Sequence, residues 1–242
     1  MNNKLTNNNY WDSGYKNISF SAMPQNYPLV KKIYEQFKKT EIKEVFEIGC
    51  FPGRFLFYFG KLGYKLNGLD QTEYLNNMVL WLKKNDFKIG NFIKDDIFNI
   101  NQDKKYDIVF SSGFIEHFIN FEEVINIHSK LVKIGGHIFI TVPNFSGIIQ
   151  KKLHTIFDIE NLEKHYLPSM NPIKWVDILK KQNFKIIDSG YLGGFDFWVG
   201  NQKRSFFQKI IIKLIRIFLP IRWLPNSKKY SPEIFLIAKK IK

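Results

Sequence analysis

The residues best suited to chemistry lie in one short stretch, Glu47-Ile48-Gly49-Cys50-Phe51-Pro52-Gly53-Arg54. Gly49 permits a tight turn and lets a ligand approach the backbone closely. Gly53 lets whatever follows begin close to what precedes it. If a helix follows, its first N–H groups are free to meet a polar ligand. Asp70 stands about 20 residues further on, the spacing at which a carboxylate takes the two hydroxyls of a ribose. A glycine turn followed by such an acid reads as a site for a nucleoside cofactor. Proton chemistry near neutral pH is the business of histidine, and the chain has 5 of them. His117 follows Glu116, and His165 sits in Lys164-His165-Tyr166-Leu167-Pro168. His128 falls within a helical pattern, His137 opens a strand, and His154 lies in a segment without a clear pattern.

The elements around these residues alternate. Glu44 to Ile48 is a short apolar run ending at Gly49 and predicts a buried strand. Arg54 to Leu62 predicts a helix, Lys65 to Leu69 a second strand closed by Asp70, and Thr72 to Lys84 a helix with Leu75, Met78, Val79 and Leu82 on one side. Phe92 and Ile93 mark a third strand and Tyr106 to Phe110 a fourth. Phe121 to Val132 predicts a helix stopped by Gly135-Gly136, and His137 to Val142 a fifth strand stopped by Pro143. Pro172 to Gln182 predicts a helix with proline in its first turn. Phe184 to Asp188 and Ile234 to Ala238 are the sixth and seventh strands. Such alternation implies an α/β fold, a mostly parallel sheet covered by helices on both faces, with ligands at the carboxyl ends of the strands. Four segments are expected: 1–43, 44–194, 195–232 and 233–242.

Composition sets outer bounds. The chain has 242 residues, 45% hydrophobic and 24% charged, enough for a full core without staples. One cysteine excludes an internal disulfide. The asparagine-rich start has no apolar core of a signal peptide, and no long uncharged apolar run suggests a membrane span. A cytoplasmic location is expected. The formal charge is +14. It comes almost wholly from lysine; arginine stands at positions 54, 204, 216 and 222 alone. Arginine forks are what phosphate-reading surfaces favour, so an anionic small acceptor or an anionic membrane face is expected rather than nucleic acid.

With these residues in place, the chain resembles the class I S-adenosylmethionine-dependent methyltransferases over about residues 44–190. E-I-G-C-F-P-G is similar to the family's first motif, G-L-D-Q (Gly68 to Gln71) to its ribose-binding strand end, and K-D-D-I (Lys94 to Ile97) to the acid-plus-apolar pair that holds the adenine. Y-D-I-V-F-S-S-G-F-I-E-H-F (Tyr106 to Phe118) resembles the fourth-strand motif. L-V-K-I-G-G-H-I-F-I-T-V-P-N (Leu131 to Asn144) resembles the helix and strand that follow. The likeness is nearest to small-molecule members, including the ubiquinone-pathway O-methyltransferases. It implies a Rossmann-like seven-stranded sheet with the last strand antiparallel, and S-adenosylmethionine as cofactor. It implies Glu47, Gly49, Cys50, Gly53, Asp70, Gln71, Asp95, Asp96, Ile97 and Ser111 around that cofactor, with Glu47 bonded to the loop backbone.

The resemblance also frames the catalytic candidates. His117 would stand beside the transferred methyl group, and His165 on a loop that reaches over the acceptor. Either is a candidate base with a pKa near neutral; positioning alone is the alternative. Tyr10-Trp11-Asp12 and Tyr15 are either edge packing for a first helix at Leu29 to Lys38 or a lid over the methionine end of the cofactor. Two departures stand out. Phe51 occupies a position the family gives to glycine or alanine, which narrows the pocket and keeps a non-catalytic, cofactor-binding reading open. Gly113 stands where some ubiquinone-branch relatives have a metal-binding glutamate, so no metal is expected. No Asn/Asp-Pro-Pro-aromatic signature follows the fourth strand, which argues against amino methylation of nucleic acid. The reading reached is O-methylation of a sugar hydroxyl or related anionic group, nucleotide- or lipid-linked, in surface glycan (polysaccharide) biosynthesis. The alternative is a phenol or quinone precursor.

One segment is left over. At about 100° per residue, Gln208, Lys209, Lys213 and Arg216 fall within roughly 140° of arc, and the remainder of Phe206 to Leu219 is apolar. Pro220, Arg222 and Trp223 follow. Three readings stand for 206–223: a helix docked on the core, a homodimer contact, or an interfacial helix on a membrane.

Overall fold

The computed structural model describes residues 4–38, 43–200, 202–218 and 223–242. Its centre is a seven-stranded sheet. Strands β1 (Glu44–Ile48), β2 (Lys65–Asp70), β3 (Ile89–Lys94), β4 (Tyr106–Ser112), β5 (Val132–Pro143), β6 (Phe184–Leu192) and β7 (Glu233–Lys240) lie in the order β3-β2-β1-β4-β5-β7-β6. β7 runs antiparallel to both β5 and β6, and the other pairings are parallel. This is the α/β class and mostly parallel topology that the alternation predicts. β1 is buried from Val45 to Ile48, as a parallel strand covered on both faces must be.

Helices fill the two faces. α2 (Pro28–Phe37), α3 (Leu56–Lys61) and α4 (Leu75–Lys83) cover one, with Leu29, Ile33, Phe59 and Met78 fully buried against Val45 and Phe110. α5 (Phe121–Lys130) and α8 (Pro172–Lys181) cover the other, around Phe46, Val109, Ile138 and Trp175. α1 (Asn8–Tyr15) rests over the carboxyl edge of the sheet. Its first turn is capped by Asn7, whose side chain accepts the Tyr10 N–H at 2.9 Å.

Several boundaries differ from the sequence reading. α5 ends at Lys130, and β5 already begins at Val132 and runs through Gly135-Gly136. Those glycines do not stop a helix. A Cβ on Gly136 would lie 2.8 Å from the Asp107 carbonyl, where β5 passes close to β4, whereas Gly135 is in open space and takes φ +79°. α6 (Ile148–Phe157) and α7 (Ile159–Leu162) form where the sequence shows no clear pattern. Ile148 and Ile156 are exposed, which blurs the periodic pattern.

α9 (Phe206–Phe218) docks through a narrow stripe only. Ile212 and Ile215 are buried against Phe157, Phe195 and Phe197. Phe206 (73%), Phe207 (77%), Ile210, Ile211, Leu214 and Ile217 are exposed. Among the described residues no helix is long and apolar enough to cross a membrane. Pro220 and Arg222 lie outside the described residues.

Candidate active site

The carboxyl ends of β1, β2 and β4 surround a cavity of about 460 Å³. The turn after β1 forms its floor. Gly49 has φ +70°, and a Cβ there would come within 2.4 Å of the Phe114 ring, so glycine is required twice over. Asp70 holds the turn. Its Oδ2 accepts the Phe51 N–H and its Oδ1 the Thr72 N–H, both at 3.0 Å. Burial raises its pKa, and these backbone N–H bonds offset only part of that rise. Asp70 and Gln71 both line the cavity.

Asp95, Asp96 and Ile97 line the same cavity. Asp96 is tied by two contacts: Oδ1 accepts the Phe98 N–H at 3.2 Å and Oδ2 the Lys4 ammonium at 2.5 Å. Burial pushes its carboxyl up, but Lys4 and the Phe98 N–H outweigh that and hold it below its usual value. Lys4 also donates to Gln71. Trp11, Asp12 and Tyr15 of α1 complete the roof, Trp11 stacking on Tyr15 at 5.8 Å. The aromatic residues at the start therefore wall the cavity rather than pack as an edge of α2. Phe51 is buried beside Tyr15, 4.5 Å between centroids, and the cavity remains open next to it.

Four of the expected cofactor residues do not reach this cavity. Glu47 is buried with Oε2 lacking a hydrogen-bond partner among the described residues, and burial and then Asp70 raise its pKa well above the usual range. It is a buried acid, and the loop backbone is held by Asp70 instead. Cys50 packs its Sγ under Gly68. Gly53, with φ +78°, faces Met78 of α4 and serves helix packing. Ser111 is fully buried and bonds His128 Nε2 at 3.0 Å; Ser112 lines the cavity in its place. Arg54, which closes the same sequence stretch but has no role of its own in the sequence pattern, also lines the cavity.

A second chamber of about 620 Å³ adjoins the first and shares with it Trp11, Tyr15, Ser112, Gly113, His117 and Trp198. His117 and His165 meet here, their rings 4.7 Å apart. Each Nδ1 lies against a backbone carbonyl, Lys164 O at 2.9 Å and Asn161 O at 2.6 Å. A carbonyl only accepts, so each Nδ1 carries the hydrogen and each Nε2 keeps its lone pair. Burial pushes His117 down to about 4 and, together with the neighbouring His117, His165 down to about 3. These values lie below the near-neutral range expected from sequence. Burial pushes Glu116 up to about 8. The 3.9 Å contact between His117 Nε2 and Glu116 Oε1 is thus a pairing of neutral groups.

Glu116, His117 and His165 each offer one ligand atom, all within 4.8 Å of one another. Two imidazoles with their Nδ1 hydrogens fixed on carbonyls, and one carboxyl without a partner, suit a divalent transition metal. Gly113 removes one ligand of the ubiquinone-branch pattern, but Glu116 and His117 gain another partner in His165. His165 comes from a distant segment, so a ligand set arises that sequence adjacency does not show.

The other end of the chamber is closed by Tyr27 and Glu233, whose side chains are hydrogen bonded to each other. The same two residues line a third cavity of about 460 Å³, beyond which lie Lys31, Lys32 and Asp196. The three spaces therefore stand in series.

The comparisons agree with this layout. Residues 24–189 match the family model described as Methyltransferase domain. The ubiquinone biosynthesis O-methyltransferase of Hydrogenovibrio crunogenus is 26% identical over 139 residues, 57% of this chain and 56% of that protein. The mitochondrial enzyme of the same name from Dictyostelium discoideum is 32% identical over 114 residues, 41% of this chain and 35% of its own length. The chain thus spans about half or less of these relatives. Among solved structures, a magnesium protoporphyrin IX methyltransferase from Synechocystis PCC 6803 with bound S-adenosylhomocysteine aligns with a TM-score of 0.57 at 14% identity, covering 96% of this chain and 97% of that one. A methyltransferase structure from Bacillus halodurans C-125 aligns with a TM-score of 0.59 at 14% identity, covering 86% and 95%. The fold and the cavity at its strand ends define a Rossmann-like, cofactor-binding α/β protein. The chain belongs to the Methyltransferase domain family, within the class I S-adenosylmethionine-dependent methyltransferases.

Proposed function

We propose that the chain transfers the methyl group of S-adenosylmethionine to a hydroxyl of a phenol or quinone precursor. The carrying observation is the chamber beside the cofactor cavity. Tyr10, Trp11, Tyr15 and Trp198 line it, two neutral imidazoles open into it, and its lining includes no lysine or arginine among the described residues. That lining suits a flat, uncharged ring better than a phosphorylated sugar. The ubiquinone-pathway names of the relatives support the same choice over surface glycans.

In this reading Asp70 and Gln71 take the ribose and Asp96 and Ile97 the adenine. Arg54 offers a cation for the methionine carboxylate. When bound, S-adenosylmethionine would supply the methyl group and leave as S-adenosylhomocysteine, and the chain's own contribution would be mainly to align the acceptor oxygen with it. As that oxygen loses its proton, Nε2 of His117 or His165 takes it. If a divalent metal is bound, Glu116, His117 and His165 would hold it, and it would supply Lewis acidity toward the acceptor hydroxyl.

The test is S-adenosylhomocysteine production against a panel of dihydroxybenzenes and quinols beside a panel of nucleotide sugars. Turnover of the sugars with none of the phenols would overturn the choice. A separate observation supports peripheral membrane contact. α9 exposes an apolar face beside Lys209 and Lys213, a pattern suited to an anionic lipid surface.

A further inference from the structure

Glu233 has no role in holding the cofactor, yet its setting is that of a binding group. It is the first residue of β7, paired with Pro143 at the end of β5 and with Leu192 at the end of β6. That register delivers its side chain to the end of the acceptor chamber away from the cofactor. One carboxyl oxygen accepts the Tyr27 hydroxyl. The other, Oε2, is buried and makes no hydrogen bond of good geometry among the described residues; the Thr141 hydroxyl, itself unpartnered, is the side-chain donor near it, and burial raises the Glu233 pKa to about 7. An unpartnered carboxyl oxygen inside a chamber calls for a donor. Beyond the Thr141 hydroxyl, the described residues of the wall include no lysine or arginine to supply one.

We propose that Glu233 is a specificity residue, which accepts a hydrogen bond from a second hydroxyl of the acceptor and excludes acceptors bearing an acidic group at that end. The inference rests on the phenol reading above and deepens it. The acceptor lies between His117, on the wall shared with the cofactor cavity, and Glu233, on the wall shared with the outer cavity. Its class is therefore an uncharged ring with two hydroxyl-type groups. A carboxylate or phosphate there would face a carboxyl group with no cation in the chamber wall to offset it. This reverses the expectation of an anionic acceptor. The positive charge of the chain lies elsewhere, with Lys31 and Lys32 in the outer cavity and not in the chamber.

The probes are 4-methylcatechol and its acidic counterpart 3,4-dihydroxybenzoate, titrated calorimetrically into the S-adenosylhomocysteine complex of the full chain. At pH 8, above the Glu233 pKa that burial raises to about 7, the wild type should bind the neutral probe at least about tenfold more tightly, as expected of like charges brought together. Glu233→Gln keeps the shape and an acceptor for the Tyr27 hydroxyl. It should shrink the ratio to about threefold or less, mainly by improving the acidic probe. Thermal melts confirm that the variant is folded. Tyr27→Phe, which frees Oε1 and removes no charge, should preserve the ratio. An unchanged ratio in Glu233→Gln, no preference in the wild type, or no binding of either probe overturns the proposal. Turnover separates it from the wider reading. Discriminating binding without methylation of 4-methylcatechol would overturn the phenol O-methylation and leave Glu233 as the selector.

Discussion

Thr72 Oγ1 donates a hydrogen bond to Asp12 Oδ1 at 2.6 Å, and this fastens α1 to the loop that follows β2. The fastening spans the cofactor cavity, since Asp12 and Thr72 both line it. Lys4 on Asp96 and the Leu5 N–H on the His117 carbonyl at 2.8 Å bind the same segment further along. The beginning of the chain is thus a roof with three attachments. Removing the Asp12 attachment by Asp12→Ala should cost about 1 kcal/mol of roof closure, as for an ordinary net hydrogen bond. Stopped-flow should show cofactor leaving about fivefold faster. An unchanged off-rate would mean that the roof opens independently of this contact.

Asp70 carries more. Asp70→Ala should weaken S-adenosylmethionine binding by about 1–3 kcal/mol, through loss of charge-assisted ribose bonds. It should also lower the melting temperature, because the Phe51 and Thr72 N–H groups lose their acceptor. Calorimetry and melts on the same sample check both. Unaltered affinity in a folded variant would remove Asp70 from the site.

The histidine pair predicts a kinetic split. His117→Ala or His165→Ala should lower kcat by roughly 10²–10⁴ while cofactor affinity holds. Both imidazoles stay neutral well below pH 6, so the wild-type rate should not fall at the usual histidine pKa. Profiles taken with and without a chelator separate proton transfer from metal assistance. Near-normal turnover in both variants would leave alignment as the mechanism.

His128 should show in stability. It is fully buried between the Val124 carbonyl and Ser111, and burial lowers its pKa from 6.5 to about 4. The folded state therefore favours the neutral ring. The stabilisation is complete above about pH 6.5 and is lost as pH falls from 6.5 towards 4, where the unfolded chain takes up the proton first. The loss is on the order of 3 kcal/mol. His128→Gln should be less stable at pH 7.5 and should flatten the pH dependence across that window. Parallel melting curves for the two proteins would contradict this.

α9 predicts salt-sensitive attachment to vesicles containing anionic lipid. Lys209→Glu with Lys213→Glu should abolish it. Arg216 is best left intact, because its Nε bonds the Phe197 carbonyl at 3.2 Å and holds the helix in place. Absence of wild-type co-sedimentation at low salt would turn attention to a second subunit.

Strands and the cofactor turn were legible because their signals are local. β1, β2 and β4 are short apolar runs, and Gly49 to Asp70 is a spacing within one βαβ unit. Side-chain direction was less so. Ser111 and Ser112 are neighbours, but alternation along β4 sends the first to His128 and the second to the cavity, a parity that composition does not reveal. The acceptor chamber was illegible for another reason. His117, His165 and Glu233 come from three separate segments, and only the packed sheet brings them together.

The position of β7 between β5 and β6 bears on how the molecule is made. A ribosome releases residues 233–240 after both neighbours, so β5 and β6 emerge with unpaired edges and wait. The strand that fills the gap also delivers Glu233. While a nascent chain still lacks that strand, its cofactor turn and Asp70 have already been synthesised, but the acceptor chamber has no far wall. The same strand insertion that buries the open edges therefore also brings in Glu233, the proposed selector, so the far wall of the chamber is the last part of the site to be completed.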